Sequence, residues 1–191
     1  DMGNEFYYTE GNCLIERESK TLIRGCNDSV IPSGVEIIGD DAFSGCLKLS
    51  ELILPEGITY IGENAFYAVT LKKLVLPSTV KTLASYAFYS SHIEEVVLNE
   101  GLEKIGNNTF FYCSGVKSIV VPSSVTNVGS GAFRNKLVYY CGTEEQWKKI
   151  TYYPTSTDGV IYYYSETQPE EEGDYWRYVD GVPTRWQNTV E

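Results

Sequence analysis

One motif returns in this chain every 22 or 23 residues, and that period constrains everything else. Pro32, Pro55, Pro77, Asn99 and Pro122 head five similar blocks, with separations of 23, 22, 22 and 23 residues. Phe43, Phe66, Phe88, Phe110 and Phe133 keep the same steps, each behind a small residue (Ala42, Ala65, Ala87, Thr109 and Ala132). A third series, Gly39, Gly62, Ala84, Gly106 and Gly129, stays in phase with both. A period of this length is too short for a pair of helices and matches one coil of a leucine-rich-repeat solenoid.

The apolar columns show how such coils stack. Val35, Ile58, Val80, Leu102 and Val125 form one column; Ile38, Ile61, Leu83, Ile105 and Val128 form the next. An L-x-x-L-x-L pattern follows, as Leu49/Leu52/Leu54, Leu71/Leu74/Leu76, Ile93/Val96/Leu98 and Val116/Ile119/Val121. One coil cannot bury these columns alone, whereas stacked coils place equivalent residues in register and share a continuous core. Strand-forming stretches such as Ser50–Leu54 are then expected to pair in parallel, about 4.8 Å apart. The Phe column should form a buried ladder. The Gly column is expected to supply turns with positive φ, with Ala84 as the exception. The expected fold is mainly β: a right-handed leucine-rich-repeat solenoid of about five 22–23-residue coils, with a parallel β-sheet and capped ends.

The segment IPSGVEIIGDDAFSGCLKLSELILP resembles the BspA-like, or Treponema pallidum-type, leucine-rich repeat, and the likeness covers about residues 22–141. Asn99 for Pro, Thr109 for Ala and Ala84 for Gly are isolated departures. The resemblance implies a bacterial cell-surface or secreted protein, linked to adhesion and to binding host or matrix proteins, with no catalytic residue.

Both ends read as caps, since terminal coils would otherwise expose core and strand edges. Residues 1–30 are assigned to an N-terminal cap whose CLIERESKTLIRGC stretch is a hairpin turning near Glu18 to Lys20, and the solenoid to 31–141. Residues 142–165 form a C-terminal cap, a short helix plus a strand; Thr143 and Gln146 have capping-box spacing, and Trp147 with Ile150 can plug the open end. Leu137 and Tyr139 are expected at the Leu52 and Leu54 positions of the shortened last coil. Residues 166–191 are a linker and an aromatic hairpin tail, in which Asp180-Gly181 is the turn signal.

Composition removes several function classes. The formal net charge is -11, which argues against nucleic-acid binding and against docking on anionic membranes. No apolar run reaches the length of a membrane span. Of the five cysteines, Cys46 and Cys113 share a column three coils apart, roughly 15 Å at strand spacing, and are expected free and buried, with Cys141 in the core. Cys13 and Cys26 would face each other only across a two-residue Ser19-Lys20 loop. His92, the one histidine, reads as a surface residue. No metal-ligand spacing, phosphate loop or nucleophile elbow is present, so neither catalysis nor a cofactor is expected.

The remaining candidate is a surface. In L-x-x-L-x-L the x positions point away from the core, which puts Glu51, Lys73, Glu95 and Ser118 in one outward column and Ile53, Val75, Val97, Val120 and Val138 in the next. An exposed apolar stripe of this kind reads either as a binding face, here for a protein partner such as a host or matrix surface protein, or as plain strand propensity or a surface covered by the rest of a longer protein; the chain is expected to be a monomer. The alternative is a carbohydrate-binding protein using Tyr175, Trp176, Tyr178 and Trp186 of the tail, set against the reading that these rings pack on the solenoid end.

Overall fold

A computed structural model describes residues 4–152, 159–170 and 172–186; parts of the cap, the closing unit and the tail as assigned above therefore lie outside the described residues. The chain opens with an antiparallel meander of β1 (Tyr7–Glu10), β2 (Cys13–Glu16) and β3 (Thr21–Arg24). Gly11 and Asn12, both at positive φ, make the first turn. From β3 up to the closing hairpin of the tail, which is antiparallel, pairing is parallel. Two-residue strands β4 (Ile37–Ile38) and β5 (Tyr60–Ile61) stand beside it, with longer β6 (Thr70–Val75) on another side of the coil. The same alternation continues through β7 (Thr82–Leu83), β8 (His92–Val97), β9 (Lys104–Ile105), β10 (Ser118–Val121), β11 (Asn127–Val128), β12 (Leu137–Tyr140), β13 (Thr151–Tyr152) and β14 (Ile161–Tyr164). The tail supplies β15 (Tyr175–Val179) and β16 (Val182–Arg185), joined by Asp180-Gly181, both at positive φ. Between β12 and β13 a single helical turn, α1 (Glu144–Trp147), is closed by a capping box: Gln146 N–H donates to Thr143 Oγ1 and Thr143 N–H to Gln146 Oε1.

Two edges of the coil thus carry parallel strands. One is the nine-stranded sheet β1-β2-β3-β4-β5-β7-β9-β11-β13. Because Leu22 of β3 already pairs with Ile38, the cap supplies the first member of the repeat column, and the solenoid makes about six turns rather than five. The other edge, built from L-x-x-L-x-L, is split: β6 pairs only with β8, while β10-β12-β14-β15-β16 form a separate sheet. Ser50–Leu54, expected as a strand, is not one. Only Lys72 N–H to Ser50 O ties it to β6, after which the two segments part.

The split coincides with a change in residue spacing. Leu49 and Val116 stand three positions after Cys46 and Cys113, but Leu71 and Ile93 only two after Val69 and Ser91. The equally spaced coils of β6 and β8 pair in register, and the ladder breaks before β6 and after β8. Spacing alone does not decide pairing, since β10 pairs in register with β12 of the still shorter last coil.

The core is the stacked columns. Phe43, Phe66, Phe88 and Phe110 are buried and nearly parallel, with centroid spacings of 5.1, 5.1 and 5.6 Å. The Gly column works differently from expectation. Gly39, Gly62, Gly106 and Gly129 do not have positive φ; they allow close approach, since a Cβ on Gly106 would lie 2.3 Å from Ser85 N and one on Gly129 2.4 Å from Asn107 N. Ala84 tolerates its methyl but sits where the next coil needs Gly106. Positive φ falls instead in two columns flanking the Phe, Asp41, Asn64, Tyr86, Asn108 and Gly131 two residues before it and Gly45, Ala68, Ser90, Tyr112 and Asn135 two after, and at Gly34, Gly57 and Gly101 two residues after the head of the coil.

Opposite outcomes are therefore expected for two exchanges. Gly106→Ala should destabilise the fold by about 2 kcal/mol or more through overpacking against backbone. Ala68→Gly, which removes a Cβ from left-handed backbone, should stabilise it by roughly 1 kcal/mol. Thermal unfolding checks both, at about 2–4 °C per kcal/mol for a chain of this size.

Candidate functional site

The outward face of L-x-x-L-x-L divides into an open part and a covered part. Ile53 is 85% exposed, Val75 48% and Val97 38%. Glu51, Lys73, Glu95 and Ser118 beside them are exposed, and Lys73 Nζ pairs with Glu95 at 2.7 Å across β6 and β8. An ion pair this wet contributes about 0–1 kcal/mol; its effect is to order the border of the apolar stripe. Val120 is half-buried.

Val138 does not belong to the stripe. It is 1% exposed and pairs with Ile119, an inward position, while Tyr139 pairs with Val120. The expected register of the last coil is off by one residue, which exchanges the two faces: Val138 and Tyr140 point in, Leu137 and Tyr139 out. The run Leu137-Val138-Tyr139-Tyr140 is apolar on both faces, so alternation could not choose between registers.

Both faces are apolar there because the tail folds over the outer one. β15 pairs with the end of β14, and its Trp176 is fully buried against Tyr139, Tyr164 and Tyr178, with centroids 5.4, 5.3 and 4.9 Å away. The indole Nε1–H donates to Tyr140 O at 2.8 Å. Arg185 Nη1 donates to Tyr162 Oη at 2.9 Å. Of the residues considered for glycan stacking, Trp176 is thus core. Trp186 has Arg177 over its ring at 4.0 Å and donates to Ser165 O; Tyr175 is half-buried and Tyr178 is 48% exposed. They do not form one open platform.

Two clefts open on the face where coils of unequal spacing meet. The first, about 570 Å³, lies between Glu51–Leu54 and Lys72–Leu76 and includes Ile53 and Val75. The second, about 510 Å³, lies between β8 and β10 and includes Val97, Leu98 and Val120, with Tyr178, Gly181 and Pro183 of the tail as one wall. The tail residues were the part of this wall that patterning alone missed; the spacing difference that coincides with the clefts was legible in the sequence.

The other reactive groups have structural roles. Cys13 and Cys26 are free: the β2–β3 turn spans Arg17 to Lys20 instead of two residues, and Glu16 pairs with Thr21, so the cysteines do not face each other. Burial raises the Cys113 thiol and pushes that of Cys141 up to about 11. Lys136, buried where the last coil is short, donates to Cys113 O at 2.9 Å, and burial lowers its pKa. His92 lies at the surface, within 2.9 Å of Ser114 Oγ. Asp40 accepts Glu63 N–H, bracing a turn. Among the described residues, no cluster of three or more His, Cys, Asp or Glu side chains is placed to hold a metal ion.

Residues 23–138 match the BspA type Leucine rich repeat region, in six copies. The chain belongs to that family. Its fold is similar to that of the Treponema pallidum Leucine Rich Repeat protein, at 26% identity and a TM-score of 0.50 over 70% of this chain and 67% of that one. It is similar also to a leucine rich cell surface protein of Faecalibacterium prausnitzii, at 25% identity and a TM-score of 0.55 over 77% of this chain and 42% of that one. A leucine-rich repeat protein of Bacteroides ovatus shares the fold at 20% identity and a TM-score of 0.50, over 70% of this chain and 48% of that one. This BspA-type chain spans less than half of the latter two proteins. No curated protein matches it.

Two outcomes follow from the packing. Trp176→Ala should cost about 3–5 kcal/mol locally, releasing the tail, which limited proteolysis after residue 165 would detect. In the folded protein a thiol reagent at neutral pH should modify about one cysteine quickly, Cys26, the exposed one. Cys13, Cys46 and Cys113, which are buried, should react only on unfolding, and Cys141, half-buried instead of in the core as expected, should react slowly because its raised pKa leaves little thiolate.

Proposed function

We propose that this BspA-type chain is a non-catalytic interaction module displayed on or secreted from a bacterial cell, binding a protein partner through the outward face of its L-x-x-L-x-L strands. The observation that carries this reading is the exposed stripe of Ile53, Val75 and Val97 bordered by Glu51, Lys73 and Glu95. Apolar area left on a sheet face gains free energy when a partner covers it, at about 25 cal/mol per Å², and the charged border favours a defined orientation. Val75 and Val97 are held side by side by the paired strands β6 and β8, which lowers the ordering cost of association there. The surface setting is supported by the family and by the description of the F. prausnitzii relative as a cell surface protein. Among the described residues no helix is long and apolar enough to cross a membrane. The net charge of -11 favours protein partners over nucleic acid.

The test is binding of the whole chain to extracellular matrix, mucin and epithelial surface proteins, compared with the Val75→Glu/Val97→Glu variant. Both sites are solvent-facing, so the variant should fold, as circular dichroism would verify. Its affinity for the captured partner should fall about tenfold or more. Undiminished binding by the folded variant would remove this face from consideration.

A further inference from the structure

The tail is already an occupant of this face, and its contacts describe what the rest of the face can take. Trp176 lies on Tyr139, the outward residue that follows Ile53, Val75, Val97 and Val120 in their column. Its N–H meets the carbonyl of Tyr140, in the column of Leu54, Leu76, Leu98 and Val121. The site thus has two elements: an outward apolar side chain and, one residue on, a carbonyl open to a donor.

Both clefts repeat these elements. Where β10 and β12 stack, the next coil's residue donates to this carbonyl, Cys141 N–H to Val121 O at 2.8 Å. Pro77 and Pro122 hold the equivalent positions after Leu54 and Leu98 and have no N–H to give. Among the described residues, neither Leu54 O nor Leu98 O accepts a hydrogen bond. Leu54 lies in the first cleft beside Ile53 and Val75, and Leu98 in the second beside Val97 and Val120. The strands part at both places, leaving room for a ring.

We propose that each cleft accepts an aromatic side chain carrying an N–H donor, an indole, from an extended segment of a partner protein, in the manner of the chain's own Trp176. This inference rests on the reading of the face given above and names the chemistry of its partner. The indole lays its ring on the outward Val or Ile and donates to the carbonyl left unpaired where the strands part. An unmet carbonyl loses its water when the cleft is covered, so a partner with no donor is disfavoured.

The probe is a cyclised peptide copying residues 174–185, added to the full-length chain with its own tail in place. Fluorescence anisotropy should show saturable binding, and methyl NMR should show shifts at Ile53, Val75, Val97 and Val120. Val75→Glu/Val97→Glu should weaken it about tenfold. Methylating the indole nitrogen of the peptide should weaken it roughly fivefold, and Trp176→Ala in the peptide should abolish it. No saturable binding, methyl shifts confined to Leu137 and Val138 (displacement of the chain's own tail), or indifference to the indole would each overturn the proposal. If the double variant loses a captured protein partner while the peptide does not bind, the indole proposal falls and the interaction face stands.

Discussion

Everything in this molecule depends on how closely one coil can lie on the next. Strand pairing fixes the spacing at about 4.8 Å, and the side chains must accept it. The phenylalanine ladder does so because aromatic rings tolerate offset stacking. The Gly column does so by having nothing to fit: at Gly106 and Gly129 the neighbouring backbone occupies the place of a Cβ. Gly25 plays the same part at the start of the ladder, where a Cβ would lie 2.1 Å from the Phe43 ring. The repeat therefore conserves spacing more strictly than chemistry, which is why Asn99 can stand for Pro. Its amide donates to Ser78 O and Val80 O of the preceding coil.

The constraint also accounts for what was legible beforehand. Columns that face the core repeat with the period, so the solenoid, the buried Phe ladder and the inward Leu positions could be read directly from residue spacing. The outward side of the last coil could not. Val138 and Tyr139 compete for the inward place in a run that is apolar throughout, and the choice is made by Trp176, 37 residues further on. A contact that distant leaves no periodic trace. The first coil was miscounted for a related reason: Leu22 enters the column from an antiparallel hairpin, whose pattern differs from the repeat although its last strand joins the stack.

The backbone turns show a third kind of information. Glycine suggested positive φ, yet left-handed residues are Asp41, Asn64, Tyr86 and Asn108. Asn and Asp accept that region more readily than most residues. Tyr86 gains by its edge contact with Tyr89, 5.4 Å between centroids, in an aromatic row that continues to Tyr67, Phe111 and Tyr112. Position in the coil, more than residue type, decides the conformation.

Two breaks in the ladder keep the candidate face from being a smooth sheet. They fall at the long coils Cys46–Leu49 and Cys113–Val116, on either side of β6 and β8, and should leave unpaired strand edges prone to aggregation. The residues along these breaks blunt that tendency: Lys72 and Lys73 line the first cleft, Glu94, Glu95 and Lys117 the second. Indiscriminate strand addition would bring a partner backbone against charges that need water. A partner that instead places a side chain into the gap, touching the valines and leaving the charged border wet, avoids that cost. The folded-back tail combines the two modes: β15 pairs with β14, Trp176 lies on Tyr139, and only Tyr178, Gly181 and Pro183 at its tip reach the second cleft.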